Sequence, residues 1–343
     1  MIRSLRGISL FWMVLVLAAA LLVSCFCGLM LGFLPIPAGA LWEILLRHAS
    51  DVPGAADAVW DLRMPRMVMA AAVGMGLSLS GVVMQAMFKN PMADPYIMGV
   101  SSGAALGAAS AIFLGVGASF GAASIGMGAF IGAAVLSLLA AAAAGRVPSG
   151  NTSYLLIFGA ALSAVCGGVT SVLVFTGAGS TGMDAQLYWL MGSVSAAKLG
   201  PAAVLLLVVL SLFGFFLTQR RILNLMVEGE EASIPLGRRL LPFVRLYLAL
   251  NALLCGWIVM NAGIIGFVGL IIPHFTRMAL GADHRKLLPA AVFLGGVIAV
   301  WADIAGRTLV AGADIPLGVT LALIGAPAFV VMLVRRSYRF GGE

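Results

Sequence analysis

Seven stretches of the sequence, 7–42, 67–88, 95–145, 147–183, 199–219, 246–276 and 315–334, contain no Asp, Glu, Lys or Arg, and each is at least 20 residues long. A helix crossing a bilayer core needs about 20 consecutive apolar residues. These gaps in the charge therefore have the length of membrane spans. The 51-residue run 95–145 has room for two spans and a turn. Porin-like barrels would show short alternating strands instead. Composition agrees: 62% of the residues are hydrophobic and 10% are charged, against about 25% charged in soluble domains. Soluble, disordered, collagen-like and disulfide-scaffold classes are excluded. The fold class expected is an all-α polytopic membrane protein.

Ten helices are predicted, near 8–33, 64–87, 97–116, 119–144, 153–175, 199–218, 241–260, 263–280, 287–309 and 317–334. With the N-terminus inside, the ten spans put fifteen of the twenty Lys and Arg residues on the cytoplasmic side. That satisfies the positive-inside rule and puts both termini in the cytoplasm. The same rule accounts for the net charge of +7, so no nucleic-acid partner is needed. Five basic residues face outward: Arg47, Arg63, Arg66, Lys198 and Arg307.

No soluble domain is expected. Residues 1–343 read as one transmembrane unit with an outer segment at 34–62 and one long inner loop at 219–240. Gly99, Gly103 and Gly107 recur at spacing four, a pattern that lets helix backbones approach closely. The four cysteines lie in apolar segments without a CxxC pair and read as packing residues, with no metal site.

The residues open to function are few. Asn90-Pro91 and Asp94-Pro95 interrupt the chain after the second helix. Asp303 and Arg307 stand four apart and can pair on one helix face. Arg307 could instead face outward as a docking contact, and Asp303 could relay protons. The inner loop reads QRRILNLMVEGEEASIPLGRRL. Positive-inside accounts for its arginines but not for Glu228, Glu230 and Glu231, nor for its apolar residues. Such a segment suits partner docking. There is no phosphate-binding loop, HExxH or GxSxG, so an ATP-driven process would need a separate ATPase chain and no cofactor in this one. A carrier driven by an ion gradient is the rival reading, and Asp303 is its one clear intramembrane acid.

Four segments resemble one family. They are DLRMPR (61–66), QAMFKNPMADPYIMGVSSGAALGA (85–108), GFVGLIIPHFTRMALGADHRKLLPA (266–290), and WADIAGRTLV (301–310) with DIPLGVTLALIGAPAFVVML (314–333). In this order they are similar to the permease subunits of ABC importers for iron-siderophores, haem and cobalamin. The resemblance implies a type II importer permease in the bacterial inner membrane. It implies a homodimer with two cytoplasmic ATPases that bind ATP and Mg, a periplasmic binding protein that delivers substrate, and alternating access. A ferric siderophore or haem comes first as substrate, and cobalamin next.

The resemblance also assigns residues. Arg63, Arg66 and Arg307 match arginines that meet glutamates of the binding protein. Gly229, Glu230, Glu231, Leu236 and Gly237 match the pattern that seats in the ATPase. Glu228, Ile234 and Pro235 depart from it. Asn90 and Met92 after the second helix, and Thr152 and Ser153 before the fifth, fall at the cytoplasmic gate.

Overall fold

A computed structural model describes the chain except residues 1–8, 33, 49–51, 97, 145–151, 178–179, 230–239, 311 and 336–343. The described residues form helices and irregular connections, without strands. The helices are α1 Leu10–Met30, α2 Ala38–Arg47, α3 Ala55–Met87, α4 Val100–Leu114, α5 Ser124–Ala144, α6 Thr152–Thr176, α7 Ser180–Leu190, α8 Leu199–Thr218, α9 Arg220–Glu228, α10 Leu241–Ala262, α11 Val268–Leu280, α12 His284–Thr308 and α13 Leu317–Arg335.

Seven of these (α1, α3, α5, α6, α8, α10 and α12) are long and apolar enough to cross a membrane. α4, α11 and α13 are shorter apolar helices. The ten predicted spans correspond to these two groups, so ten is an approximate count. Three further helices lie between them. α2 and α7 sit in connections that the sequence reading places outside, and α9 opens the long loop 219–240.

The bundle is built around α3, where nearly every residue from Pro65 to Met87 is buried. It packs against α12, α8, α11 and α10, while α12 also carries α1. Small residues make these crossings close. A Cβ added at Gly74 would collide with the Gly295 carbonyl of α12, and one at Gly81 with the Gly269 carbonyl of α11. The glycine repeat of α4 acts in the same way. Gly103 and Gly107 interlock with Gly132 and Gly128 of α5, each glycine lying against the other helix's backbone carbonyl. Gly99 differs, because it caps α4 at φ +82°, a conformation that glycine adopts without strain. Lipid offers no apolar driving force for helix association, so contact of this kind holds the bundle together.

After a first turn at Ala55–Asp57, α3 continues as a π-helical stretch at Ala58–Arg63. α11 starts five residues later than the sequence predicts, because 263–267 is irregular and Phe267 has φ +69°.

Candidate functional site

At the end of the bundle where α1 finishes, three helices meet around its last turn. Helix C-terminal carbonyls lack intrahelical partners and carry partial negative charge. Arg63, buried on the π-helical stretch of α3, fills that need. Its Nη1 donates to the Leu29 carbonyl at 2.7 Å and the Met30 carbonyl at 3.2 Å, and its Nη2 donates to the Leu34 carbonyl. Arg307 of α12 donates to the Gly28 carbonyl at 2.5 Å. Its Nε lies 3.5 Å from Asp303, so the i,i+4 pair expected from the sequence forms.

Arg66 is bound differently. Its Nε donates to both oxygens of Asp303 at 2.8 and 3.0 Å. Its two terminal nitrogens donate to the two oxygens of Asp314 at 2.7 Å each. This is a two-pronged guanidinium–carboxylate pair, the strong geometry for such a contact. Asp303 is enclosed, whereas the Asp314 side chain is 43% exposed. The Arg66 hydrogen bond holds the Asp314 carboxyl below the usual carboxylate range.

The three arginines expected as outward charges thus stand together, but not as free groups. Arg63 is inside the protein, a correction to its reading as an outer surface charge. Its cause is the unsatisfied end of α1. Arg307 is likewise spent on Gly28 and Asp303. Arg66 alone reaches an exposed partner. Sequence reasoning did not single out Asp314. Its signal was the acid opening the DIPLGV segment, a fixed negative charge beside an outward arginine motif.

At the opposite end of the bundle, α9 buries Ile222, Leu223 and Met226 and packs on α3 and α12. Between them, Asn224 makes a joint with the start of α12. Its Oδ1 accepts from the His284 backbone N–H at 3.0 Å and lies 2.6 Å from His284 Nδ1. A backbone N–H can only donate, so this contact fixes the amide's orientation and places the shared proton on Nδ1. The other end of the amide donates to Asp283 Oδ1 at 3.1 Å. Asp283 also caps α12 by accepting from the Arg285 backbone N–H at 3.0 Å. That backbone bond first, and Asn224 second, draw the Asp283 carboxyl below its ordinary range. Nothing in the sequence reading marked this joint.

Of the expected ATPase-docking residues, Gly229 ends α9 at φ +110°, with the Lys89 ammonium against it. Glu230, Glu231, Leu236 and Gly237 lie outside the described residues. Of the expected gate residues, Asn90 accepts from the Met92 backbone N–H at 2.9 Å. It therefore shapes the turn that presents Met92, which is 41% exposed. Asp94 makes a similar turn by accepting from the Tyr96 backbone N–H at 2.8 Å. Burial pushes the Asp94 carboxyl up to about 6, against the lowering effect of that hydrogen bond. Thr152 and Ser153 open α6. The described residues contain no group of His, Cys, Asp and Glu able to hold a metal ion.

Known proteins resemble this chain along most of its length. The model of the FecCD transport family matches residues 20–335. The hemin transport system permease protein HmuU of Yersinia pestis is 37% identical over 296 residues, covering 83% of this chain and 87% of that protein. The cobalamin import system permease protein BtuC of Halobacterium salinarum is 38% identical over 314 residues, covering 89% and 83%. A solved structure described as an inward-facing conformation of a metal-chelate type ABC transporter superposes with a TM-score of 0.83 at 28% identity. The superposition covers 94% of this chain and 99% of that one.

Proposed function

The chain belongs to the FecCD transport family, and from that premise we propose that it imports a metal chelate by alternating access. It is the membrane permease of an ABC importer, a transport subunit rather than a catalytic enzyme. The proposed cargo is a ferric siderophore or haem first and cobalamin next, taken from the periplasm across the bacterial inner membrane. Hydrolysis of ATP with Mg falls to two separate cytoplasmic ATPase subunits, and a periplasmic binding protein delivers the cargo to a homodimer of this chain. The observation that carries the reading is the end-to-end superposition on a metal-chelate type ABC transporter.

The chain's own features support the parts. α9 offers a charged inner element seated on α3 and α12, suited to receive force from an ATPase through Gly229 and the Glu230, Glu231, Leu236 and Gly237 segment. The outer arginine cluster, centred on Arg66, suits recognition of carboxylates on a binding protein, where charge would fix register and speed encounter. Loop 88–99, with Asn90 and Met92, would form the cytoplasmic gate with Thr152 and Ser153. α6 supports a dimer contact, because Gly167 and Gly168 have open space before them that would admit another backbone. The ion-gradient alternative is weakened by Asp303, whose charge is committed to Arg66 and Arg307.

Uptake into proteoliposomes tests this. The chain is reconstituted with its co-expressed ATPase and binding protein, and haem, a ferric siderophore and cobalamin are offered in turn. Uptake of one of them that needs both ATP hydrolysis and the binding protein is expected. Uptake that ignores ATP and follows an ion gradient would overturn the proposal.

A further inference from the structure

We infer that Asp314 is an internal stand-in for a carboxylate of the docking partner. On docking, the outer edge of the Arg66 guanidinium passes from Asp314 to an Asp or Glu side chain of that partner. The inference rests on the reading of the outer cluster as a docking site.

The cluster divides its work unequally. Arg63 and Arg307 hold backbone carbonyls at the end of α1, and releasing either would undo helix packing. Arg66 is anchored from behind, with its Nε on the enclosed Asp303. That anchor leaves the planar edge formed by its two terminal nitrogens facing out. Asp314 covers this edge with matched distances of 2.7 Å. Any other carboxylate would meet the same edge in the same geometry.

Asp314 is also the replaceable member. It lies between α12 and α13, outside both helices. Its neighbour Ile315 is tied to the Gly306 carbonyl at 3.0 Å, and Gly312 just before it has φ +78°. A turn of the Asp314 side chain therefore breaks no helical hydrogen bond. Arg66 is 12% exposed beneath it. With Asp314 seated, the five charged groups sum to +1; without it they sum to +2. The resting surface is thus nearly neutral, and the attraction for an acidic partner is held in reserve. Exchange of one carboxylate for another costs little net energy, which suits a partner that must bind, deliver and leave.

The test measures affinity of the purified permease–ATPase complex for the binding protein that drives uptake, at low and moderate salt. D314N removes the competitor's charge and keeps its shape. It is expected to tighten docking about three- to fivefold, the scale of one exposed ion pair, and to steepen the salt dependence. D314E keeps a competing carboxylate and should dock like the unaltered protein. In an R66A background D314N should give no gain. Weaker or unchanged docking by D314N, with R66A still weakening it, would overturn the stand-in and leave the docking site itself standing. Docking indifferent to R66A would remove both.

Discussion

A buried charge needs partners, and Arg63 shows how a carbonyl-rich helix end can supply them. Its guanidinium replaces water at the Leu29 and Met30 carbonyls of the α1 terminus and at the Leu34 carbonyl just beyond it. Arg63→Ala would strip the Leu29 and Leu34 carbonyls of this donor, while Met30 keeps the Ile36 backbone N–H at 3.1 Å, at a cost of about 3 kcal/mol. The expected outcome is a lowered melting temperature of the purified protein. A loss of binding-protein affinity at unchanged melting temperature would place Arg63 at the interface instead. Asp94 is a residue whose ionisation the fold disfavours. Its folded value near 6 lies above the ordinary value of 3.8. A raised acid contributes stability that is full below about 4 and is lost as pH rises through about 6. Wild-type stability should therefore fall across that window. Asp94→Asn keeps the acceptor for the Tyr96 amide and should flatten the slope. A thermal-melt series from pH 4.5 to 8 checks it, and equal slopes would count against a buried, titrating Asp94.

Whole elements were easier to foresee than their partners. The spans were legible because bilayer thickness writes itself into the spacing of charges: the gap 199–219 became α8 almost to the residue. The glycine repeat also predicted its own use, at Gly103 and Gly107. Less was legible where no membrane imposes a length. α2 and α7 are short connecting helices, so no charge gap marked them. α11 began late because of a positive φ at Phe267, a residue type that gives no such signal. At the site, local rules found the Asp303–Arg307 pair but missed a stronger one. Arg66 and Asp314 are 248 positions apart, and no pattern along the chain joins them. The Asn224 joint was hidden for the same reason. It can be tested as a property of α9. Asn224→Ala should raise amide hydrogen exchange about tenfold through α9 and the first turn of α12, the loss of roughly one net hydrogen-bond contribution. α3 should be unaffected. Unchanged exchange in α9 would mean that Ile222, Leu223 and Met226 hold the helix unaided.

For the molecule as a whole, the two proposed docking ends are properties of one helix. α12 receives α9 at His284 and carries Asp303 and Arg307 near its other end. Between these ends it lies along α3, the most buried element of the protein. Both surfaces proposed to meet other proteins are therefore mounted on the same central pair of helices, apart from the exposed α6 face proposed for a dimer contact. That layout fits a subunit that transmits movement and does no chemistry of its own.

The double attachment of α12 also sets a rotational phase. Each residue in an α-helix advances the chain by 100°. His284 must face Asn224 while, 19 positions later, Asp303 must face Arg66. A single residue gained or lost between them would leave every span as apolar as before and every motif intact. Yet it would swing one anchor about a quarter-turn away from its partner. Hydropathy is blind to such a change. Natural variation in this stretch should therefore accept replaced residues far more readily than an altered count of them.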